Sequence, residues 1–123
     1  MILKLNDTEI ELDFDICEPD TLEKYEKSLD KVIEKTTFNE KDKLSTSEKV
    51  RIQCLAVFEF FDSVFGEGSK EDIFGEKVNL RDCLIAFNQV IEEAARQNKE
   101  IEELTNKYTP NRAQRRHKKN VGV

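Results

Sequence analysis

The sequence predicts an α+β fold: an N-terminal β-hairpin packed on a mainly α-helical bundle of three main helices, with a disordered basic C-terminal tail. Three observations carry this reading. Apolar and acidic residues alternate with period two through Ile10–Phe14, apolar residues recur at three- and four-residue spacing in three later segments, and beyond Tyr108 the pattern gives way to cations. One hairpin-plus-helices domain is expected over residues 1–108 and a basic flexible tail over 109–123. A chain of 123 residues can close one ordinary core without staples.

In the hairpin, Ile2, Leu3 and Leu5 precede Asn6-Asp7, and Ile10, Leu12 and Phe14 then alternate with Glu9, Glu11 and Asp13. Asn and Asp tolerate the positive φ that tight hairpin turns require. A two-stranded hairpin is marginal alone in water, so its apolar face must lie on the helices or on another chain.

Pro19-Asp20 opens the first helix, with Asp20 as the expected N-cap and Glu23 completing a box three residues on. Leu22, Tyr25, Leu29, Val32 and Ile33 recur on one side, and a ladder of Glu, Lys and Asp covers the other. Residues 36–43 form a polar connection. Ser45-Thr46-Ser47-Glu48 is a sharper start, a capping box in which Ser45 bonds a backbone N–H and Glu48 reaches back. From Val50 to Phe65 the second helix is the most apolar stretch of the chain, and Gly66 ends it. Its apolar residues occupy more than one face, so it is either central or buries a second face against a partner. Gly66, Gly68, Ser69 and Gly75 mark a loop with a short turn over 71–74. The last helix begins at Asn79, paired with Asp82, and carries Leu80, Cys83, Leu84, Phe87, Val90, Ile91, Ala94, Ala95, Ile101 and Leu104. Beyond Ala95 the apolar residues thin out, and the helix end is expected to project.

Charge restricts the partners. The chain carries −6, and residues 109–123 contribute five cations and no acid, which leaves −11 on the remainder. Such a body argues against broad nucleic-acid binding, because displacing counterions from phosphates needs clustered Lys and Arg; only the tail has them.

Chemistry-bearing patterns are sparse. Cys17, Cys54 and Cys83 are odd in number, lack a C-x-x-C pair and have one histidine to join them, so neither a disulfide framework nor a metal site is expected. Cys54 and Cys83 fall in apolar periodic runs and read as small core residues. His117 sits among the cations of the tail, where nothing packed would orient it as a base. Phosphate-loop, dinucleotide and nucleophile-elbow motifs do not occur. Glu92-Glu93 and Glu102-Glu103 read as solvated helix faces, and Phe58, Phe60, Phe61 and Phe65 lack the interleaved cations of a base-stacking platform. The expectation is a protein without catalytic residues, cofactor or metal. With no signal peptide and no run long enough to span a bilayer, it is placed in a reducing cytoplasm, away from the membrane.

Three stretches resemble a known family. The opening Ile2-Leu3-Lys4-Leu5-Asn6-Asp7-Thr8-Glu9-Ile10-Glu11-Leu12, the helix Thr21-Leu22-Glu23-Lys24-Tyr25-Glu26-Lys27 and the ending Tyr108-Thr109-Pro110-Asn111-Arg112-Ala113-Gln114-Arg115-Arg116 are similar to the tail assembly chaperones of long-tailed, siphovirus-like bacteriophages and related prophages of Gram-positive bacteria. The likeness covers nearly the whole chain in order and type of element. It implies a non-enzymatic protein, absent from the mature virion, that binds the tape measure protein and keeps it soluble while tail tube protein polymerises around it. It also implies a longer form made by a −1 frameshift: Lys118-Lys119-Asn120 is what a slippery A-AAA-AAC heptamer would encode, and a gene reading AAG or AAT there would count against it.

On that reading, the side bearing Phe58, Phe61 and Phe65 and the hairpin face are the expected partner contacts. An amphipathic-helical protein can cover the apolar seam of a long helical client by helix-in-groove packing. Arg112, Arg115 and Arg116 of the tail are expected as a second contact, or as the leader into the frameshifted extension. Self-association is compatible with coating a long chain, though no heptad seam demands it. Two alternatives stand beside this one: a small prophage-encoded regulator or nucleic-acid-associated protein using its basic tail, and a structural tail component.

Overall fold

Two short antiparallel strands open the chain, β1 (Ile2–Leu5) and β2 (Thr8–Glu11), with Leu3 opposite Ile10 and Leu5 opposite Thr8. Asn6 takes φ 55°, the left-handed value a tight turn needs at its first central position. Pairing continues past the strands, because the Met1 ammonium donates to the Leu12 carbonyl at 2.7 Å and the Leu12 N–H donates back to Met1 at 2.8 Å. These relations come from a computed structural model that describes residues 1–108. The tail expected over 109–123, with Arg112, Arg115, Arg116, His117 and the Lys118-Lys119-Asn120 tripeptide, lies outside the described residues.

Helix α1 (Pro19–Lys35) follows, but not with the expected cap. Glu18 is the N-cap and Pro19 begins the helix, where a fixed φ suits the first turn and the missing N–H costs nothing. Asp20 therefore falls inside the first turn, and Glu23 pairs with Lys27 at 2.6 Å. Tyr25, Ser28 and Val32 are the buried residues of α1, with Leu22 and Leu29 half-buried beside them. Ile33, assigned by spacing to the inner side, is 57% exposed. It lies about 100° around the helix from Val32, past the edge of the buried stripe, whose centre the small Ser28 occupies.

The connection contains a 3₁₀ turn at Glu40–Asp42 and leads to α2 (Thr46–Phe65). The capping box forms as the sequence predicts: the Glu48 N–H donates to Ser45 Oγ at 3.1 Å and the Ser45 N–H donates to Glu48 Oε1 at 3.3 Å. Ser45→Ala removes one acceptor at an exposed helix start. It is expected to lower stability by about 1 kcal/mol, read as a shift in urea midpoint with an unchanged slope.

Gly66 closes α2 at φ 107°, and α3 (Ser69–Phe74) and α4 (Leu80–Tyr108) complete the chain. Asn79 caps α4 through its side chain, accepting the Asp82 N–H at 3.1 Å. Helix α2 is central, touching α1, α3 and α4, while β1 lies against α4. Its Cys54, Ala56, Val57, Phe58, Phe60 and Phe61 are all buried. The Phe60 ring meets Tyr25 of α1 at 6.1 Å and Phe87 of α4 at 4.9 Å, and Phe61 meets Phe74 of α3 at 5.4 Å. These edge-on contacts join three helices through adjacent side chains of α2. The fold is α+β, a hairpin on a helical bundle.

Candidate functional site

The hairpin is held on α4 by two glutamines as well as by apolar packing. Gln89 Oε1 accepts the Lys4 N–H at 2.8 Å while its Nε2 donates to the Lys4 carbonyl at 2.6 Å. One amide side chain thus occupies the outer edge of β1 at Lys4, where another strand would otherwise pair. Eight residues further along α4, Gln97 does the same for the chain leaving the hairpin: Oε1 accepts the Ile16 N–H at 2.8 Å and Nε2 donates to the Phe14 carbonyl at 2.7 Å. Its Nε2 also lies 2.8 Å from Glu93 Oε2.

Beyond this second clamp α4 leaves the body, and its inner stripe goes with it. Val90 and Ala94 are buried, and Gln97, Ile101 and Leu104 continue the same three- and four-residue spacing. Ile101 is half-buried and Leu104 is 46% exposed. A trough of about 480 Å³ forms between this stripe and the segment leaving β2, with Phe14, Ile101 and Leu104 among its apolar lining. A second depression of about 290 Å³ shares Met1, Glu93 and Arg96 with it and carries the line toward Gln89 and Ile2, which is 57% exposed.

The rim of this trough is acidic. Asp15, Glu93 and Glu100 line the larger part and Glu92 the smaller, against two cations, Arg96 and the Met1 ammonium. Arg96 is held between neighbours, donating to both oxygens of Glu93 at 2.9 and 2.7 Å and to Glu100 at 3.2 Å. Arg96 and the Gln97 amide, working against partial burial, hold the Glu93 carboxyl down at about 2. A carboxylate depressed in the fold adds stability above its ordinary range, near pH 4, and loses it as pH falls toward 2. Glu93 therefore keeps its charge across the physiological range.

Cys17 lines the trough and is exposed, whereas Cys54 and Cys83 are fully buried side by side on α2 and α4. Burial, with the neighbouring Cys54 next in weight, pushes the Cys83 thiol up to about 12. The Cys17 thiol is also raised, by partial desolvation and then by Asp15. In the native protein, iodoacetamide is expected to modify one thiol of three, slowly at neutral pH and faster as pH rises, with full modification only after unfolding. Mass spectrometry that found two or three modified thiols in the folded state would contradict this burial pattern.

The phenylalanines expected at a partner surface need correcting. Phe61 has 0% of its surface exposed and Phe58 6%, so both are core residues. Phe65 is half-buried, lying 5.7 Å from the Phe61 ring and 5.6 Å from Phe14. The hairpin face is likewise consumed, with Leu3, Leu5, Leu12 and Phe14 buried. Both sets hold the fold together and leave little for a partner. Among the described residues, no group of three or more His, Cys, Asp or Glu is placed to hold a metal ion, and no helix is long and apolar enough to cross a membrane.

Residues 6–119 match a family of unknown function, DUF6673. The chain belongs to DUF6673. The match runs from the hairpin turn to the basic residues beyond α4, so it takes in both walls of the larger trough, while Met1 and Ile2 lie outside it. Neither the curated proteins nor the solved structures include a match to the chain. Membership in DUF6673 therefore supplies no activity, and the reading of function rests on the residues themselves.

Proposed function

We propose that this protein is a non-enzymatic tail assembly chaperone that binds the tape measure protein, keeps it soluble and helps to recruit tail tube subunits. It would act in the host cytoplasm and be absent from the finished virion. The identity of the client rests on the resemblance carried by the opening hairpin, the first helix and the Tyr108–Arg116 ending. The observation that carries the mode of action is the apolar stripe of α4, which runs out of the core and into an open acidic trough. A helix with an exposed apolar seam lowers its free energy by laying that seam along such a stripe, at roughly 25 cal/mol per Å² of apolar area removed from water. The acidic surface would keep complexes apart by repulsion.

Co-expression with the tape measure protein of the same gene cluster tests the proposal. A soluble complex is expected to co-purify at moderate salt with the unaltered chain and to be lost with Ile2→Glu/Leu104→Glu, a pair placed on exposed side chains so that the variant still folds. Phe58 and Phe61 are unsuitable for this test, since polar residues there would unfold the protein. An insoluble tape measure protein beside a soluble, folded chain would overturn the proposal.

A further inference from the structure

We propose that the trough along α4 selects a cationic amphipathic helix about four turns long. The inference rests on the reading that this trough is the client site, and it specifies the chemistry of the segment bound there. Length comes first. From Gln89 to Leu104 the trough follows fifteen residues of α4, about 22 Å at 1.5 Å per residue, which a partner helix of about fifteen residues would match.

Apolar character is the second argument. Inside the body the stripe of α4 is covered by the hairpin and α2; beyond Ala94 the same spacing continues through Ile101 and Leu104 with part of it open. A partner laid there extends a packing interface that already exists, and Ile2 provides a second exposed apolar contact at the other end.

Charge decides the sign of the partner. Four carboxylates, Asp15, Glu92, Glu93 and Glu100, flank the apolar line against Arg96 and the Met1 ammonium. Arg96 is already engaged by Glu93 and Glu100, and the ammonium by the Leu12 carbonyl. Four carboxylates against two cations leave a net negative charge along the trough, which a helix with Lys or Arg flanking its apolar seam complements. One flanked by Glu would meet like charge close to an apolar surface, where repulsion is poorly screened.

The probe is a fluorescently labelled fifteen-residue peptide of Leu and Lys in amphipathic helical order, compared with its Leu and Glu counterpart by anisotropy against the full chain. The Lys peptide is expected to bind at least tenfold more tightly. Ile101→Ser/Leu104→Ser and Asp15→Lys/Glu100→Lys should each weaken it about tenfold, and Glu26→Lys/Asp30→Lys, on the exposed face of α1, less than twofold. Bound peptide should also slow alkylation of Cys17 at least threefold.

Equal weakening by the two charge-reversal pairs would reduce the binding to adsorption on an acidic surface and overturn the proposal. Indifference to Ile101→Ser/Leu104→Ser would do the same. If Cys17 is already shielded without peptide and is released by Arg112→Ser/Arg115→Ser/Arg116→Ser, the occupant is the chain's own basic segment, and a partner helix is overturned. Peptide binding does not involve the tape measure protein, so its success alongside a failed co-expression would leave the trough assigned and the chaperone reading rejected.

Discussion

Phe61→Ala is expected to lower the unfolding free energy by about 3–5 kcal/mol, because the ring is fully buried between α2 and α3, against Phe60, Phe65 and Phe74. Its neighbours are themselves large and mutually constrained. Phe60 lies 5.5 Å away and also holds Tyr25 and Phe87, so the surrounding rings cannot collapse into the vacancy without giving up contacts of their own. For a domain of this size the loss corresponds to a fall in melting temperature on the order of 15–25 °C. Urea denaturation followed by far-ultraviolet circular dichroism measures it directly. A loss below about 1.5 kcal/mol would mean that the α2 aromatics do not form the centre of the fold. The result also governs how any binding data are read: a Phe61 variant that fails to bind a tested partner has lost its fold before it has lost a contact.

The hairpin, the three long helices and their order were legible because each has a local cause. Asn6-Asp7 supplies a turn, Ser45 and Glu48 a reciprocal cap, Gly66 a stop, and the apolar density of Val50–Phe65 marks a helix surrounded on most sides. Where the reading departed from the structure, two local rules competed. Pro19 and Asp20 both suit a helix start, and proline took the first helical position, moving the cap to Glu18. Ile33 fits a generous apolar stripe, but Ser28 shows that the inner line of α1 runs through Tyr25, Ser28 and Val32.

The site was less legible, for a physical reason. Aromatic residues at helical spacing satisfy the pattern of a core and the pattern of a docking face equally well. Only the presence of other elements around α2 distinguishes them, and Phe58 and Phe61 proved to be core. The trough, by contrast, is built from single residues far apart in sequence, Ile2, Asp15, Glu93 and Leu104 among them. One clue was present. Gln97 interrupts an otherwise apolar line from Val90 to Leu104, and a polar residue on an inner stripe implies a polar group waiting opposite.

That group is the backbone of Phe14 and Ile16, and removing its partner should have the second-largest effect. Gln97→Ala leaves the Ile16 N–H and the Phe14 carbonyl without their side-chain partners in a partly buried setting, at an expected cost of about 1–3 kcal/mol. Gln89→Ala removes the matching clamp at Lys4, where both backbone groups can turn to water, and should cost about 0.5–1 kcal/mol. The sharper variant is Gln97→Glu, which keeps the shape and the acceptor but replaces a donor with a second carboxylate facing Glu93 and the Phe14 carbonyl. Repulsion there raises the folded-state pKa of the new carboxyl above its unfolded value. Its penalty is therefore greatest at neutral pH and shrinks as pH falls through that raised value. The expected order of damage at pH 7 is Gln97→Glu, then Gln97→Ala, then Gln89→Ala, measured by urea midpoints, with Gln97→Glu approaching Gln97→Ala near pH 5. The two clamps are about 12 Å apart along α4 and share no partner, so the alanine variants should add. Negligible losses at both sites would mean that packing of Leu3, Leu5 and Phe14, with no help from the amides, fixes the hairpin on α4. A larger loss at Gln97 would make this one side chain the hinge pin of the trough wall, and Cys17, one residue past Ile16, should then react faster in Gln97→Ala than in the unaltered chain.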